Sequence, residues 1–213
     1  VSVELDRSLL PILEETLTDR NNVEIISGDI LKTDTPALVR DKFAGLTPIA
    51  CANLPYNITT PVLTAFLEAG CFQSITVMIQ REVAHRICAQ PGSGDYGAFS
   101  VYCQAHAKTE LLFDVPPECF IPAPKVTSSV LRLIPKPLPE EISVPDAFFK
   151  VVKAAFAQRR KTLLNALSAV YGSRFSKEEL LSVLQSCGLP GDIRGERLSI
   201  PQFAALARVL ETR

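Results

Sequence analysis

The chain reads as an α/β protein: a sheet domain built from βαβ units, followed by a small all-helical domain. Three observations predict this. Short β-rich runs alternate with helical patterns as far as Ile134, four prolines crowd the stretch from Pro135 to Pro145, and beyond them the apolar spacing is purely helical. With 213 residues and 47% hydrophobic content the chain can bury two cores of unequal size, so two domains are expected, 1–137 and 138–213.

Val1 to Glu4, Asn22 to Ser27, Pro48 to Ala52 and Ser74 to Ile79 are the predicted strands of the sheet. Leu9, Leu10, Leu13 and Leu17, the segment from Pro36 to Phe43, and Thr60 to Ala69 have helical spacing between them, with Pro61 tolerated in a first turn. Arg81 to Ala89 and Ala98 to Ala107 read as two further helices around an exposed Pro91-Gly92-Ser93-Gly94 loop. Glu110 to Val115 and Val126 to Ile134 are close enough in sequence to form an antiparallel pair at one edge of the sheet. Pro135, Pro137, Pro139 and Pro145 suit neither a helix interior nor a central strand and mark the linker. Three helices are predicted after it: Pro145 to Leu167, Lys177 to Ser186 with a Ser176/Glu179 capping box and Gly188 at its end, and Ile200 to Glu211.

Composition narrows the function classes. No run of about 18 apolar residues suggests a membrane span, and the Val1 to Asp6 start has no secretory pattern, so a soluble cytoplasmic protein is expected. Cysteines 51, 71, 88, 103, 119 and 187 form no CxxC pair and are accompanied by two histidines, which indicates no metal site and no disulfide framework; buried, reduced thiols are the expectation. Residues 1–140 carry 11 Lys/Arg against 16 Asp/Glu, whereas residues 141–213 carry 11 against 7. A basic C-terminal unit hints at an anionic partner.

Chemistry-bearing residues gather at predicted strand ends, where ligands of open α/β sheets collect. Glu4 follows the first apolar run, and a carboxylate there offers two acceptor oxygens to a ribose diol, although a helix-capping acid fits as well. At the next strand end, Gly28 permits close backbone approach, Asp29 can accept from an adenine amino group, and the Ile30 amide can donate to a ring nitrogen. A plain turn aspartate is the competing reading. Asn53-Leu54-Pro55-Tyr56 is the sharpest motif. The Asn53 side-chain oxygen and the Pro55 carbonyl can each accept one hydrogen of an adenine N6 amine, turning its lone pair toward a methyl donor, while Tyr56 offers a stacking face. A strand-ending turn with a half-buried tyrosine is the bland alternative. Phe120, on a stiff proline-rich loop, can sandwich a flipped base with Tyr56 or simply pack on the core.

In this order, the strand-end acid, Gly28-Asp29, Asn53-Leu54-Pro55-Tyr56 and Phe120-Ile121-Pro122-Ala123-Pro124-Lys125-Val126-Thr127-Ser128 resemble the small-subunit rRNA adenine dimethyltransferases. The helical unit extends the likeness with Ala155 to Asn165 and Arg194-Gly195-Glu196-Arg197-Leu198-Ser199, so the resemblance covers essentially every residue. It implies a Rossmann-like class I methyltransferase sheet with a C-terminal all-α domain, S-adenosylmethionine as methyl donor, and N6,N6-dimethylation of two adjacent adenosines near the 3′ end of small-subunit rRNA. It also implies a monomer acting on immature small ribosomal subunits. No metal is required, because the sulfonium is already a good leaving group. Arg159, Arg160 and Lys161 make a cationic cluster on a predicted helix, suited to RNA phosphates or to tethering the two domains. Arg81 and Glu82 are expected to be a structural salt-bridged pair.

Such enzymes carry a first strand and a Gly-x-Gly loop before the acid that matches Glu4. Here the expectation is a sheet lacking that first strand, interrupted between the strands ending at Glu4 and Asn53, with poor cofactor binding by this piece of the chain. Two other functions share these residues: an adenine N6-methyltransferase of the large-subunit type, and a non-catalytic RNA-binding assembly or transcription factor that keeps the fold.

Overall fold

The computed structural model describes residues 1–212. Its strands are β1 (Ser2–Glu4), β2 (Ile25–Ser27), β3 (Ile49–Asn53), β4 (Ser74–Gln80), β5 (Ala107–Val115) and β6 (Ser128–Pro135). The α-helices are α1 (Leu10–Thr16), α2 (Thr35–Lys42), α3 (Thr59–Ala69), α4 (Arg81–Cys88), α5 (Ala98–His106), α6 (Pro145–Ala157), α7 (Leu163–Tyr171), α8 (Lys177–Ser186) and α9 (Ile200–Thr212).

The strands form two separate sheets. β1 and β2 pair in parallel, while the larger sheet runs β3-β4-β6-β5. Strand β4 is parallel to β3 and antiparallel to β6, and β5 closes the far edge antiparallel to β6, as the short β5–β6 connection predicts. The discontinuity falls between β1 and β3, where the interrupted sheet was expected. β4 shows why the large sheet is stable: Ile75, Val77 and Ile79 alternate inward and are buried together with Leu131 and Leu133 of β6. Val62, Leu63, Phe66 and Leu67 lay one stripe of α3 on this face, and Gly70, at φ 61°, ends the helix in the left-handed conformation that only glycine adopts without strain.

A second core joins α6 to α9 through Phe148, Val151, Leu163, Leu180, Val183, Phe203 and Leu210. It recruits Tyr96, Val101 and Ala105, which precede the proline-rich linker, so the helical unit is seated on α5 rather than hung from a tether. Ser176 and Glu179 form the expected capping box at 3.2 and 2.7 Å, and Gly188, at φ 70°, lets the Leu189 amide return to the Leu184 carbonyl.

Three expectations are corrected. The single helix predicted from Pro145 to Leu167 is two helices, because Thr162 turns extended and caps α7, its hydroxyl accepting from the Asn165 amide at 3.4 Å. The second strand begins at Ile25 rather than Asn22. The thiols are not uniformly buried: Cys51 and Cys119 are exposed, Cys71, Cys88 and Cys187 are intermediate, and only Cys103 is fully enclosed among the six.

Gly195 explains the glycine of the Arg-Gly-Glu-Arg segment. A Cβ at this position would lie 2.9 Å from both the Cβ and the carbonyl oxygen of Ala155 in α6. Gly195→Ala must therefore push backbone away from backbone. The expected outcome is a loss of about 1–3 kcal/mol in urea unfolding, as overpacked sites show, with an unchanged m-value.

Candidate active site

A cleft of about 490 Å³ runs along the break between β1 and β3, lined by apolar residues such as Val1, Val3, Ile49, Ala50, Phe66 and Phe72 and, at the C-terminal ends of β1, β2 and β3, by Glu4, Gly28, Asp29, Ile30, Asn53, Leu54 and Pro55. Parallel pairing produces this convergence: the register that sets Glu4 against Ser27 brings the Gly28-Asp29 turn level with the acid. The Gly28 amide donates to the Glu4 carbonyl at 2.9 Å. Each carboxylate is oriented by a nearby amide. Glu4 Oε1 accepts from the Asp6 amide at 2.7 Å, and Asp29 Oδ1 accepts from the Leu31 amide at 3.0 Å. Asp29 thereby caps a short helical turn and Glu4 fastens the turn after β1, while both also line the cleft with one further oxygen each for a ligand hydroxyl or amine.

Asn53 ends β3 with its backbone in register with Met78 of β4, and the next amide, Leu54, donates to the Met78 carbonyl at 3.1 Å. Leu54 is buried and plugs the core beneath. The Asn53 side chain is exposed and, among the described residues, engages no protein hydrogen-bond partner. The Pro55 carbonyl already accepts from the Ile58 amide at 3.1 Å and from Thr59 Oγ1 at 3.4 Å, the second a long contact.

Tyr56 and Phe120 lie beyond the cleft lining, on the side of β6. The Tyr56 hydroxyl and Ser128 Oγ share a hydrogen bond of 2.9 Å. Phe120 is half-buried at the start of the loop that leads into Ser128, and its neighbour Ile121 is fully exposed. Sequence reasoning quoted Ser128 as part of a motif but gave it no role. Its signal was a serine pair at the head of a largely apolar strand.

Arg81 is corrected. Its guanidinium pairs with Asp114 at 3.1 Å, and Glu82 instead pairs with Arg86 one turn along α4 at 2.7 Å. The cationic cluster is relocated as well. Arg159, Arg160 and Lys161 lie in the break between α6 and α7, not on a helix, and line a shallow depression of about 340 Å³. Arg159 donates to the carbonyls of Gly94 at 2.6 Å and Tyr96 at 3.1 Å, which makes it a tether to the loop before α5. The same loop is held by the Gly92 amide on the Glu196 carbonyl at 2.7 Å. Arg160 and Lys161 remain exposed. Among the described residues no cluster of His, Cys, Asp and Glu is arranged to hold a metal ion, and no helix is long and apolar enough to cross a membrane.

The family model for ribosomal RNA adenine dimethylase matches residues 1–202. A ribosomal RNA small subunit methyltransferase A from Alkaliphilus metalliredigens is 45% identical over 215 residues, spanning 100% of this chain and 75% of its own length. The chain belongs to the ribosomal RNA adenine dimethylase family. Solved structures share the Rossmann-like methyltransferase fold of this dimethylase. A dimethyladenosine transferase from Plasmodium falciparum superposes with a TM-score of 0.76 at 23% identity, covering 99% of this chain and 81% of its own. The 23S rRNA methyltransferase ErmE superposes with a TM-score of 0.67, again at 23% identity and with the same two coverages. Both likenesses speak for the dimethylase fold alone.

Proposed function

We propose that the protein transfers methyl groups from S-adenosylmethionine to N6 of two adjacent adenosines near the 3′ end of small-subunit rRNA, acting as a monomer in the cytoplasm on immature small ribosomal subunits. The observation that carries this reading is the convergence of Glu4, Asp29 and the unengaged Asn53 carboxamide on one cleft. The 45%-identical ribosomal RNA small subunit methyltransferase A of Alkaliphilus metalliredigens supports the choice of subunit.

At the strand-end rim of the cleft the polar groups are few, and the Glu4 and Asp29 carboxylates are pre-oriented by backbone amides. Glu4 accepts from ribose hydroxyls, Asp29 accepts from the adenine amine of the methyl donor, and the Ile30 amide faces a ring nitrogen. When bound, S-adenosylmethionine supplies an electrophilic methyl on a sulfonium leaving group. The chain's own task is to prepare the acceptor. The N6 lone pair of adenine is delocalised into the ring, so the Asn53 oxygen and the Pro55 carbonyl, replacing the long Thr59 contact, take one N–H each and turn the lone pair toward the methyl. Tyr56 and Phe120 hold the flipped base by stacking. Arg160 and Lys161 neutralise phosphates, while Arg159 keeps the two units in register.

The test is methylation of purified small and large ribosomal subunits in parallel with a labelled donor, with nucleosides identified by mass spectrometry. The expected product is N6,N6-dimethyladenosine at two neighbouring positions of the small-subunit RNA. Label confined to large-subunit RNA, or RNA binding without any methylation, would overturn the reading.

A further inference from the structure

The two aromatic side chains assigned to the target base come from segments 64 residues apart, and one short stretch of chain joins them. Thr127, Ser128 and Ser129 leave the Phe120 loop and start β6. Each is fastened separately. The Thr127 carbonyl accepts the Arg81 amide at 3.0 Å. Ser128, only 1% exposed, meets the Tyr56 hydroxyl at 2.9 Å. Ser129, fully buried, donates to Asp114 Oδ1 at 2.6 Å, and Asp114 Oδ2 holds the Arg81 guanidinium at 3.1 Å.

Successive residues of a strand point to opposite faces, so the two serines reach opposite ways. One grips the Asn53–Tyr56 segment and the other grips β5 and the start of α4. Burial matters because an unpaired hydroxyl would be costly at either position, so both bonds persist. We propose that Ser128 is a positioning residue for base stacking: it fixes the tip of the Tyr56 side chain, while the Ser129–Asp114–Arg81 anchor holds Ser128 in place. The inference rests on the methyl-transfer reading above. Tyr56 is attached to backbone at one end and to Ser128 at the other, and two fixed points leave its ring little freedom to tilt. A base stacked on that ring is then presented to Asn53 at a set angle. Alignment is the main contribution such a site can make to a reaction whose leaving group is already activated.

The experiment is a double-mutant cycle of Ser128→Ala and Tyr56→Phe in the full-length protein, followed by steady-state methyl transfer to small subunits. Each single change removes the same hydrogen bond and should lower kcat about five- to tenfold, as expected for loss of one ordinary bond plus modest misalignment. The KM for the methyl donor should not move, since neither residue lines the donor cleft. The double variant should be no slower than the slower single variant, and Ser128→Thr, which keeps a hydroxyl, should recover most of the rate. Multiplying effects in the double variant, or an unchanged kcat for Ser128→Ala, would overturn the proposal while leaving the methyl-transfer reading intact. Absence of methyl transfer by the unsubstituted protein would overturn the parent reading, and this one with it. Unfolding free energies of the same four proteins, measured without RNA or donor, should show the same non-additivity.

Discussion

Asn53→Ala is expected to slow methyl transfer to adenosine by about 100- to 1,000-fold, the range seen when one pre-oriented polar group is removed from a reacting centre. The acceptor nitrogen is intrinsically poor, so the rate depends on orienting its lone pair, and the function proposed above gives that task to the Asn53 carboxamide. It stands at the mouth of the cleft with no protein partner among the described residues. Because no protein hydrogen bond is broken by the truncation, the fold should not suffer. The strand end itself is secured through its backbone, by the Asn53–Met78 register and the Leu54 amide on the Met78 carbonyl. Single-turnover methylation with excess enzyme measures the chemical step, and filter binding checks that affinity for the RNA stays within about twofold, since phosphate contacts dominate that affinity. A near-normal single-turnover rate would remove Asn53 from the reaction.

Tyr96→Ala is expected to cost about 3–5 kcal/mol of stability, the range for deleting a buried aromatic ring. At roughly 2–4 °C per kcal/mol for a chain of this size, the melting temperature should fall by about 6–20 °C. Tyr96 is fully buried, and its ring meets Phe156 edge-on at 5.9 Å, which in turn meets Phe203 of α9 at 6.0 Å. This relay is how the loop before α5 becomes part of the helical core. Tyr96→Phe separates ring from hydroxyl. The hydroxyl is buried with no hydrogen-bond partner among the described residues, so its removal relieves an uncompensated desolvation of about 1–3 kcal/mol and should raise the melting temperature near pH 7 by about 2–12 °C. The alkaline limb should differ. Burial pushes the Tyr96 phenol up to about 12 from an ordinary value of 10. With the folded value above the unfolded one, the contribution of the neutral phenol is fully present below pH 10 and is lost as pH rises from 10 through 12. Tyr96→Phe should flatten that part of the stability profile in urea titrations run between pH 9 and pH 12.

Much of the molecule follows from patterns that span only a few residues. Alternation along Ile75, Val77 and Ile79 specifies a strand with one buried face, because side chains of an extended chain point to alternate sides. Ser176 and Glu179 specify a helix start because both bonds of the box close within one turn. That Glu4, Asp29 and Asn53 would come to one cleft was legible because each ends an apolar run, and parallel packing sends such ends to one edge. Partners distant in sequence were not legible. Arg81 has an acid beside it at Glu82 yet pairs with Asp114, since successive residues on a helix diverge and the end of β5 lies closer in space. Arg159 sits in a run with unbroken helical spacing, but the chain turns there and spends its guanidinium on the Gly94 and Tyr96 carbonyls. The Tyr56–Ser128 bond spans 72 residues. Periodicity and capping determine which elements form and which ends carry polar groups, because those energies are local. Which side chain meets which across the core is decided by how the elements pack, and only the tertiary structure holds that information.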